Sequence, residues 1–245
     1  MIVAAHQTML APQGGPSSLD YVQTGLIGMW DGIENAGRGT HSASATSWVD
    51  LSGNGQNATA PTGLYLPTWA NTHAQFTNNS SHKQALSFSP SGALTGASAL
   101  TVEICYKVED ATARSGGDVL IHFAPAGQYW YNGRLAVRFN LTGSLSNSSA
   151  WSAPATNQCR LFYTDNSDAK LTGTIALPFA SFRTQSTPYY NGASFTPAQG
   201  PGSLVCESMS TCTGVTIGYA STSETYPSGF HIGKIYAIRI YNRAL

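Results

Sequence analysis

Hydrophobic and polar residues alternate along several stretches of the chain, most regularly in the segment 229–245, GFHIGKIYAIRIYNRAL. The alternation assigns the residues of this segment to two faces: Tyr236, Ile238 and Ile240 to one, and Ile235, Ala237, Arg239 and Tyr241 to the other. Successive side chains of a β-strand point to opposite faces of the sheet, so this period of two predicts a half-buried strand.

The same period recurs in segments 100–110 (LTVEICYKVED), 118–123 (DVLIHF) and 134–143 (RLAVRFNLTG), and the apolar stretch 26–30 (LIGMW) predicts a short strand. Residues 59–90 show no clear period and are expected to be irregular. No segment places apolar residues at helical spacing over three turns. Strands joined by turn residues, with no helices between them, predict an all-β, two-sheet antiparallel sandwich.

Charge excludes two classes of partner. Charged residues make up only 10% of the chain, against about 25% in a typical protein. Lys and Arg together number 12, as do Asp and Glu, so the formal net charge is zero. Such sparse positive charge argues against binding to nucleic acid or to an acidic membrane surface. No apolar run approaches the roughly 20 residues that a membrane-spanning helix needs, so no membrane insertion is expected.

The first twenty residues carry Pro12, Gly14, Gly15 and Pro16 and show no period. They predict an extended N-terminal arm, 1–20, in front of a single domain, 21–245. The arm is either a flexible leader or a segment that docks on a neighbouring subunit. It has neither a basic start nor a sustained apolar core, so it is not a signal peptide. Either a signal was removed, or the protein reaches its destination without one, as a virion component does.

The cysteines are Cys105, Cys159, Cys206 and Cys212. Their spacing fits no zinc site. Cys206 and Cys212 flank the five residues ESMST, a loop that a disulfide could close, although close spacing does not prove the bond. Cys105 falls inside a predicted strand and is expected to be a small buried side chain.

Two motifs carry a family resemblance: D-L-S-G-N-G at 50–55, and I-x-x-I-R-I-Y-N-R-A-L at 235–245. The chain from about Gly25 to Leu245 resembles the laminin-G-like, concanavalin A-like jelly-roll domains of bacterial and phage surface proteins. The resemblance implies a two-sheet jelly roll that is usually non-catalytic and often binds glycans or proteins. A shared fold does not by itself establish a shared function.

Glycoside hydrolases occur among the relatives of this family, and retaining ones need two carboxylates about 5–5.5 Å apart. The related jelly-roll hydrolases have an E-x-D-x-E-like strand, and no segment here has one. Glu103 has Cys105 and Lys107 as its neighbours on the same predicted face. The sequence therefore predicts that the chain is not an enzyme.

No cofactor is predicted, although a structural calcium ion is considered. Calcium prefers six to eight oxygen ligands, and jelly rolls of this class often hold one in a loop. Asp50 and Asn54 in the D-L-S-G-N-G turn are a weak candidate for such a site. Capping of the turn by the same side chains is the alternative, because Asp and Asn satisfy local backbone groups while glycine supplies positive φ.

Aromatic residues beside asparagines are the candidate ligand-binding groups. They are Tyr129, Trp130, Tyr131 and Asn132 in QYWYNG, Tyr189, Tyr190 and Asn191 in PYYNG, and Tyr226 in TYPSG. A sugar site uses such rings for its C–H faces and such amides for its hydroxyls. Protein interfaces are also rich in Tyr and Trp, and the same rings could instead cap the ends of the sandwich core.

The sequence therefore predicts an extracellular or surface-displayed binding or adhesion module, whose partner is a glycan or a surface protein. The alternative is a structural or decoration protein of a phage particle or filament, with virion neighbours contacted through the N-terminal arm. A glycoside hydrolase is the third and least supported possibility. The expected location is extracellular, at a cell surface, or on a virion.

Overall fold

The computed structural model describes residues 22–79, 81–109, 118–124, 135–139, 160–161, 169–176, 186–190, 193–194, 209–210, 212–219 and 230–245. The predicted arm, 1–20, lies outside these residues. The described strands form two β-sheets, which confirms the predicted all-β sandwich. No described helix is both long enough and apolar enough to cross a lipid bilayer.

The strands in chain order are β1 (Leu26–Asp31), β2 (Ser47–Trp48), β3 (Ala58–Thr59), β4 (Thr68–Ala70), β5 (His73–Thr77), β6 (Leu86–Phe88), β7 (Ala99–Val108), β8 (Asp118–Ala124), β9 (Leu135–Phe139), β10 (Arg160–Leu161), β11 (Ala169–Ala176), β12 (Ser186–Tyr190), β13 (Ala193–Ser194), β14 (Gly214–Ile217) and β15 (Ile232–Tyr241). A single helical turn, α1 (Gly92–Thr95), precedes β7. Sheet 1 has the order β13-β12-β11-β7-β15-β5-β4, and β1 also pairs with β15. Sheet 2 has the order β10-β9-β8-β14-β6-β3-β2.

Three details differ from the sequence-based expectation. The turn of helix α1 interrupts a chain that was expected to contain only strands. Strands β9 and β10 pair in parallel, whereas the other named pairs of the described strands are antiparallel. The expectation that 59–90 is irregular is wrong, because β4, β5 and β6 lie within it. These strands are only three to five residues long, too short to show a period.

The two sheets share one hydrophobic core. Sheet 1 contributes Trp30 and Trp69, and sheet 2 contributes Trp48 and Phe88. The rings of Trp30 and Phe88 pack with centroids 4.7 Å apart, and those of Trp48 and Trp69 pack edge to face at 5.6 Å. These aromatic contacts join the inner faces of the sheets, as expected of a sandwich.

Strand β15 is central to sheet 1, because β7 pairs with one of its edges while β5 and β1 share the other. Its register against β7 shifts between Ile235 and Ala237, which makes Tyr236 an extra residue in a β-bulge. Ile235, Ile238 and Ile240 therefore all belong to the core, opposite Tyr106, Ile104 and Val102. The predicted strand is confirmed, but the predicted grouping of Tyr236 with Ile238 and Ile240 is wrong, since the bulge reverses the alternation.

Gly233 lies just before this bulge, with a φ of +146°. A Cβ atom added at this position would lie 2.0 Å from the backbone oxygen of Lys107. Backbone cannot move aside as a flexible side chain can, so only glycine allows β7 and β15 to approach this closely.

Candidate functional site

Most of the predicted ligand-binding residues lie outside the described part of the chain: Tyr129, Trp130, Tyr131, Asn132, Asn191 and Tyr226. Tyr189 and Tyr190 belong to β12, where they pair in register with Thr172 and Leu171 of β11. Cys206 is also outside the described residues, so the disulfide with Cys212 stays a prediction. Cys212 itself is buried, and Cys105 is buried in β7 as expected.

The turn 50–55 is held against β1 by the carboxylate of Asp50. Its Oδ1 accepts hydrogen bonds from the backbone nitrogens of Met29 at 3.0 Å and Ser52 at 2.9 Å. Its Oδ2 accepts hydrogen bonds from Ser52 Oγ at 2.9 Å and from the backbone nitrogen of Gln56 at 3.0 Å. Four donors match the roughly four lone-pair sites of a carboxylate, which favours turn capping over metal binding at Asp50.

The amide of Asn54 completes the turn. Its Nδ2 donates to Ser52 Oγ at 2.9 Å and to the Leu26 oxygen at 3.3 Å. Gly53 and Gly55 have φ angles of +87° and +71°, as the sequence motif predicts for this turn. Within the described ranges, no group of three or more His, Cys, Asp or Glu side chains is arranged to hold a metal ion. The calcium site at Asp50 and Asn54 stays a prediction.

A cluster of charged and polar side chains lies on the face of sheet 1 that points away from the core. Arg239 is only 2% exposed, and its Nη1 contacts the carboxylate of Glu103 on β7. Burial raises the pKa of Asp31, and the positive charge of Arg239 opposes that shift. Burial also raises the pKa of Tyr241 to about 12. These groups are too enclosed to meet a ligand, so they hold the strands of sheet 1 together.

Tyr65 is an accessible aromatic residue, 52% exposed. It stacks on the imidazole of His82 with centroids 4.1 Å apart and planes inclined by 24°. Two backbone hydrogen bonds fix Tyr65. Its N–H donates to the Lys83 carbonyl oxygen, and its carbonyl oxygen accepts from the Ala85 N–H. We call Tyr65 and His82 the ring pair.

The turn after β5 places polar groups beside the ring pair. Asn79 Oδ1 accepts hydrogen bonds from the backbone nitrogens of Ser81 and His82, at 2.9 and 2.8 Å. The backbone nitrogen of Asn79 donates to the backbone oxygen of His82 at 3.0 Å, which closes the turn. An exposed ring beside an asparagine is the arrangement that the sequence predicted, but at other residues. Tyr65 was missed because it lies between two short strands in a segment that looked irregular.

A second accessible group of side chains crosses the outer face of sheet 1. Gln75, Lys234 and Lys107 occupy one register row across β5, β15 and β7. We call these three residues the lysine row. Lys234 Nζ lies 3.5 Å from Glu109 Oε1, and Gln75 Nε2 donates to Glu109 Oε2 at 2.8 Å.

Two half-buried rings lie next to the lysine row on the same face. Tyr236 is the bulge residue of β15, and His73 belongs to β5. Their rings meet edge to face with centroids 5.4 Å apart. The backbone carbonyl oxygen of Tyr236 accepts a hydrogen bond of 2.8 Å from the backbone nitrogen of Gly32, which fixes the bulge in place. The bulge therefore turns an aromatic side chain towards solvent beside two lysines.

The fold is shared with solved structures of low sequence identity. A Trypanosoma rangeli sialidase in complex with 2,3-difluoro-KDN matches 96% of this chain and 34% of its own, with 13% identity and a TM-score of 0.53. The same sialidase in complex with sialic acid matches with 13% identity and a TM-score of 0.52, over 99% of this chain and 35% of that one.

A structure of botulinum neurotoxin type C, whose cell entry depends on interaction with two ganglioside molecules, also matches. It covers 93% of this chain and 50% of the toxin chain, with 10% identity and a TM-score of 0.52. No model of a known protein family matches the sequence, and no curated protein matches it. This chain spans about a third of the sialidase and half of the toxin chain, so the likeness shows the fold alone.

These matches correct one prediction. The chain was predicted not to be an enzyme, because no segment has the E-x-D-x-E-like strand of the related jelly-roll hydrolases. That prediction is wrong, since the structures that share the fold include sialidases, which are enzymes.

Proposed function

We propose that the chain binds carbohydrate and that the ring pair forms part of the binding surface. The observation that carries the proposal is the ring of Tyr65, which is 52% exposed yet held in place by its backbone hydrogen bonds and by its stacking on His82. A sugar presents C–H groups on its faces, and these pack well against a flat aromatic ring. Because the ring is already fixed, binding would cost little conformational entropy.

The comparisons support this proposal in a limited way. The sialidase structure holds sialic acid, and the toxin interacts with gangliosides. Both share the two-sheet fold with this chain at 10 to 13% identity. In our proposal, the function is displayed outside the cell or at a surface, by one domain over 21–245 of the laminin-G-like or concanavalin A-like kind. The predicted aromatic groups around Trp130 and Tyr190 stay separate candidates for contact with the sugar.

The test is a glycan array probed with the full chain and with Tyr65→Ala and Tyr65→Phe variants. We expect Tyr65→Ala to lose about 1–2 kcal/mol of binding free energy and Tyr65→Phe to retain most of the affinity, because phenylalanine keeps the stacking face. Trp130→Ala and Tyr190→Ala test the predicted loops on the same array.

Leu245→Ala is the matched control, because Leu245 is 50% exposed, follows the end of β15 and is not part of the ring pair. It removes a similar amount of exposed apolar surface and should leave binding unchanged. Failure of the chain to bind any glycan would refute the proposal. Binding that survives Tyr65→Ala would remove the ring pair from it.

The predicted role in a phage particle or filament stays a prediction. It depends on the N-terminal arm, which lies outside the described residues, and on assembly with virion neighbours. Sedimentation of the protein in its native setting would separate the two roles, because a particle component would be recovered in an assembly of many copies.

A further inference from the structure

The lysine row contains an arrangement that does not favour folding. Lys234 and Lys107 are directly paired in the register of β15 and β7. Directly opposite residues in antiparallel strands have Cβ atoms about 4.5–5.5 Å apart, and like charges in such a pair destabilise the sheet. The chain has only 12 Lys and Arg residues in 245, so two of them side by side need an explanation.

Neighbouring groups compensate only one of the two charges. Lys234 is paired with Glu109 at 3.5 Å. Among the described residues, Lys107 makes no ion pair. The row therefore carries a net charge of one positive unit, counting Lys107, Lys234 and Glu109. Proteins break local rules of this kind mainly at functional sites, where a ligand supplies the missing partner.

The surroundings indicate what that ligand is. Tyr236 presents a half-buried ring beside the lysines, and His73 packs against its edge. The amide nitrogen of Gln75 donates to Glu109 Oε2 and to the Gly233 oxygen, at 2.8 and 3.2 Å. Its Oε1 has no hydrogen-bond donor among the described residues and can accept one from a hydroxyl. An aromatic ring, a free amide oxygen and an uncompensated ammonium fit a hydroxylated ligand that also bears an anion.

We propose that the lysine row, with Tyr236, is a subsite for a saccharide that carries a carboxylate or a sulfate. Lys107 binds the anionic group, Gln75 accepts a hydrogen bond from a sugar hydroxyl, and Tyr236 packs against the C–H face. This inference rests on the proposed carbohydrate binding and adds the class of sugar. It concerns residues on the open face of sheet 1, separate from the ring pair.

The experiment compares the uncharged glycan lactose with two anionic derivatives of it: sialyllactose, which adds a sugar that bears a carboxylate, and sulfated lactose. Their affinities are measured by isothermal titration for the full chain, for Lys107→Gln, and for Arg243→Gln as a control. Arg243 is exposed and follows the far end of β15, so its replacement removes the same charge at a distance from the row. We expect Lys107→Gln to weaken binding of the charged glycans about ten- to a hundred-fold and to leave lactose unchanged.

Salt provides a second readout. Binding of the charged glycans is expected to weaken as salt rises from about 50 to 500 mM, and Lys107→Gln should remove most of that dependence. The carboxylate and sulfate arms show which anion is preferred. If Lys107→Gln and Arg243→Gln weaken binding of the charged glycans equally, or if neither does, the subsite is refuted while carbohydrate binding stands. If none of the three binds while the glycan array shows binding to other sugars, the subsite is refuted; if the array shows no binding either, the proposed function fails.

A third measurement does not depend on any ligand. If Lys107 serves a ligand and not the fold, Lys107→Gln relieves the repulsion with Lys234, and the midpoint of thermal unfolding should stay the same or rise. A clear fall in that midpoint would mean that Lys107 stabilises the sheet, and it would overturn the proposal.

Discussion

Single residues show how closely the strands of sheet 1 are fitted together. Arg239 and Tyr241 lie on its outer face almost without contact to solvent, at 2% and 4% exposure. Tyr241 packs with Leu26, Met29 and Leu51, which covers its ring. Enclosure of this kind disfavours the charged form of a phenol, which is why the pKa of Tyr241 rises to about 12.

The raised pKa predicts a change of stability with pH. The neutral phenol is preferred in the folded state, so its contribution is complete below pH 10 and is lost as pH rises from 10 through 12. We expect the unfolding free energy to fall by at most about 2 kcal/mol more in the native chain than in Tyr241→Phe over this range. Urea denaturation at pH 8, 10 and 12 measures the difference. Parallel curves for the two proteins would contradict it.

Some properties of single residues could be predicted from the sequence and others could not. The buried Cys105 and the positive φ of Gly53 and Gly55 were predictable, because strand position and turn chemistry are local properties. The requirement for glycine at 233 was not, because it arises from the Lys107 backbone, which is more than a hundred residues away in the sequence. The ring pair and the lysine row could not be predicted for the same reason, since each depends on which strands become neighbours.

At the scale of elements, the bulge in β15 decides which side chains reach the core. Before the bulge Ile235 faces inward, and after it Ile238 and Ile240 do. A strict period of two would have put Ile235 on the opposite face from these two. The strand was predictable because its alternation is long, but the position of the bulge was not, since Tyr236 looks like any other strand residue.

The bulge predicts a contrast between two single-residue deletions. Removing Tyr236 leaves Ile235 and Ala237 adjacent, opposite the adjacent residues Tyr106 and Cys105, so the pairing of β15 with β7 becomes regular. We expect this variant to fold, with a loss of about 1–2 kcal/mol for the contacts with His73 and Gly32. Near-ultraviolet circular dichroism and thermal unfolding measure the outcome.

Deleting Arg239 is the matched comparison. It moves Ile240 to the outer face and Tyr241 towards the core, because one residue of slippage reverses every later side chain. This variant should be unfolded or insoluble. Equal behaviour of the two deletions would show that the bulge does not set the register.

At the scale of the whole molecule, the two sheets are joined by aromatic pairs across the core. Trp30 of sheet 1 and Phe88 of sheet 2 have ring centroids 4.7 Å apart. The two-sheet architecture was predictable from alternation alone, since each sheet needs another layer to bury its apolar face. Which residues meet across the core was not predictable, because that depends on how the two sheets are aligned.

A double-mutant cycle tests this link between the sheets. Trp30→Leu and Phe88→Leu are expected to show a coupling free energy of about 0.5–1.5 kcal/mol in denaturant unfolding. The control cycle combines Trp30→Leu with Tyr65→Ala at the surface and should be additive within about 0.5 kcal/mol. Additivity in the first cycle would mean that the two rings do not stabilise each other.

The arrangement around β15 also bears on how the protein is made. This strand follows the other fourteen described strands in the sequence, yet it separates β7 from β5 and β1 in sheet 1. While a ribosome is still translating residues 232–241, those three strands have no neighbour between them and their edges stay open. Closing such distant pairs is slow, so the nascent polypeptide is exposed to premature association until residues 232–241 have been synthesised.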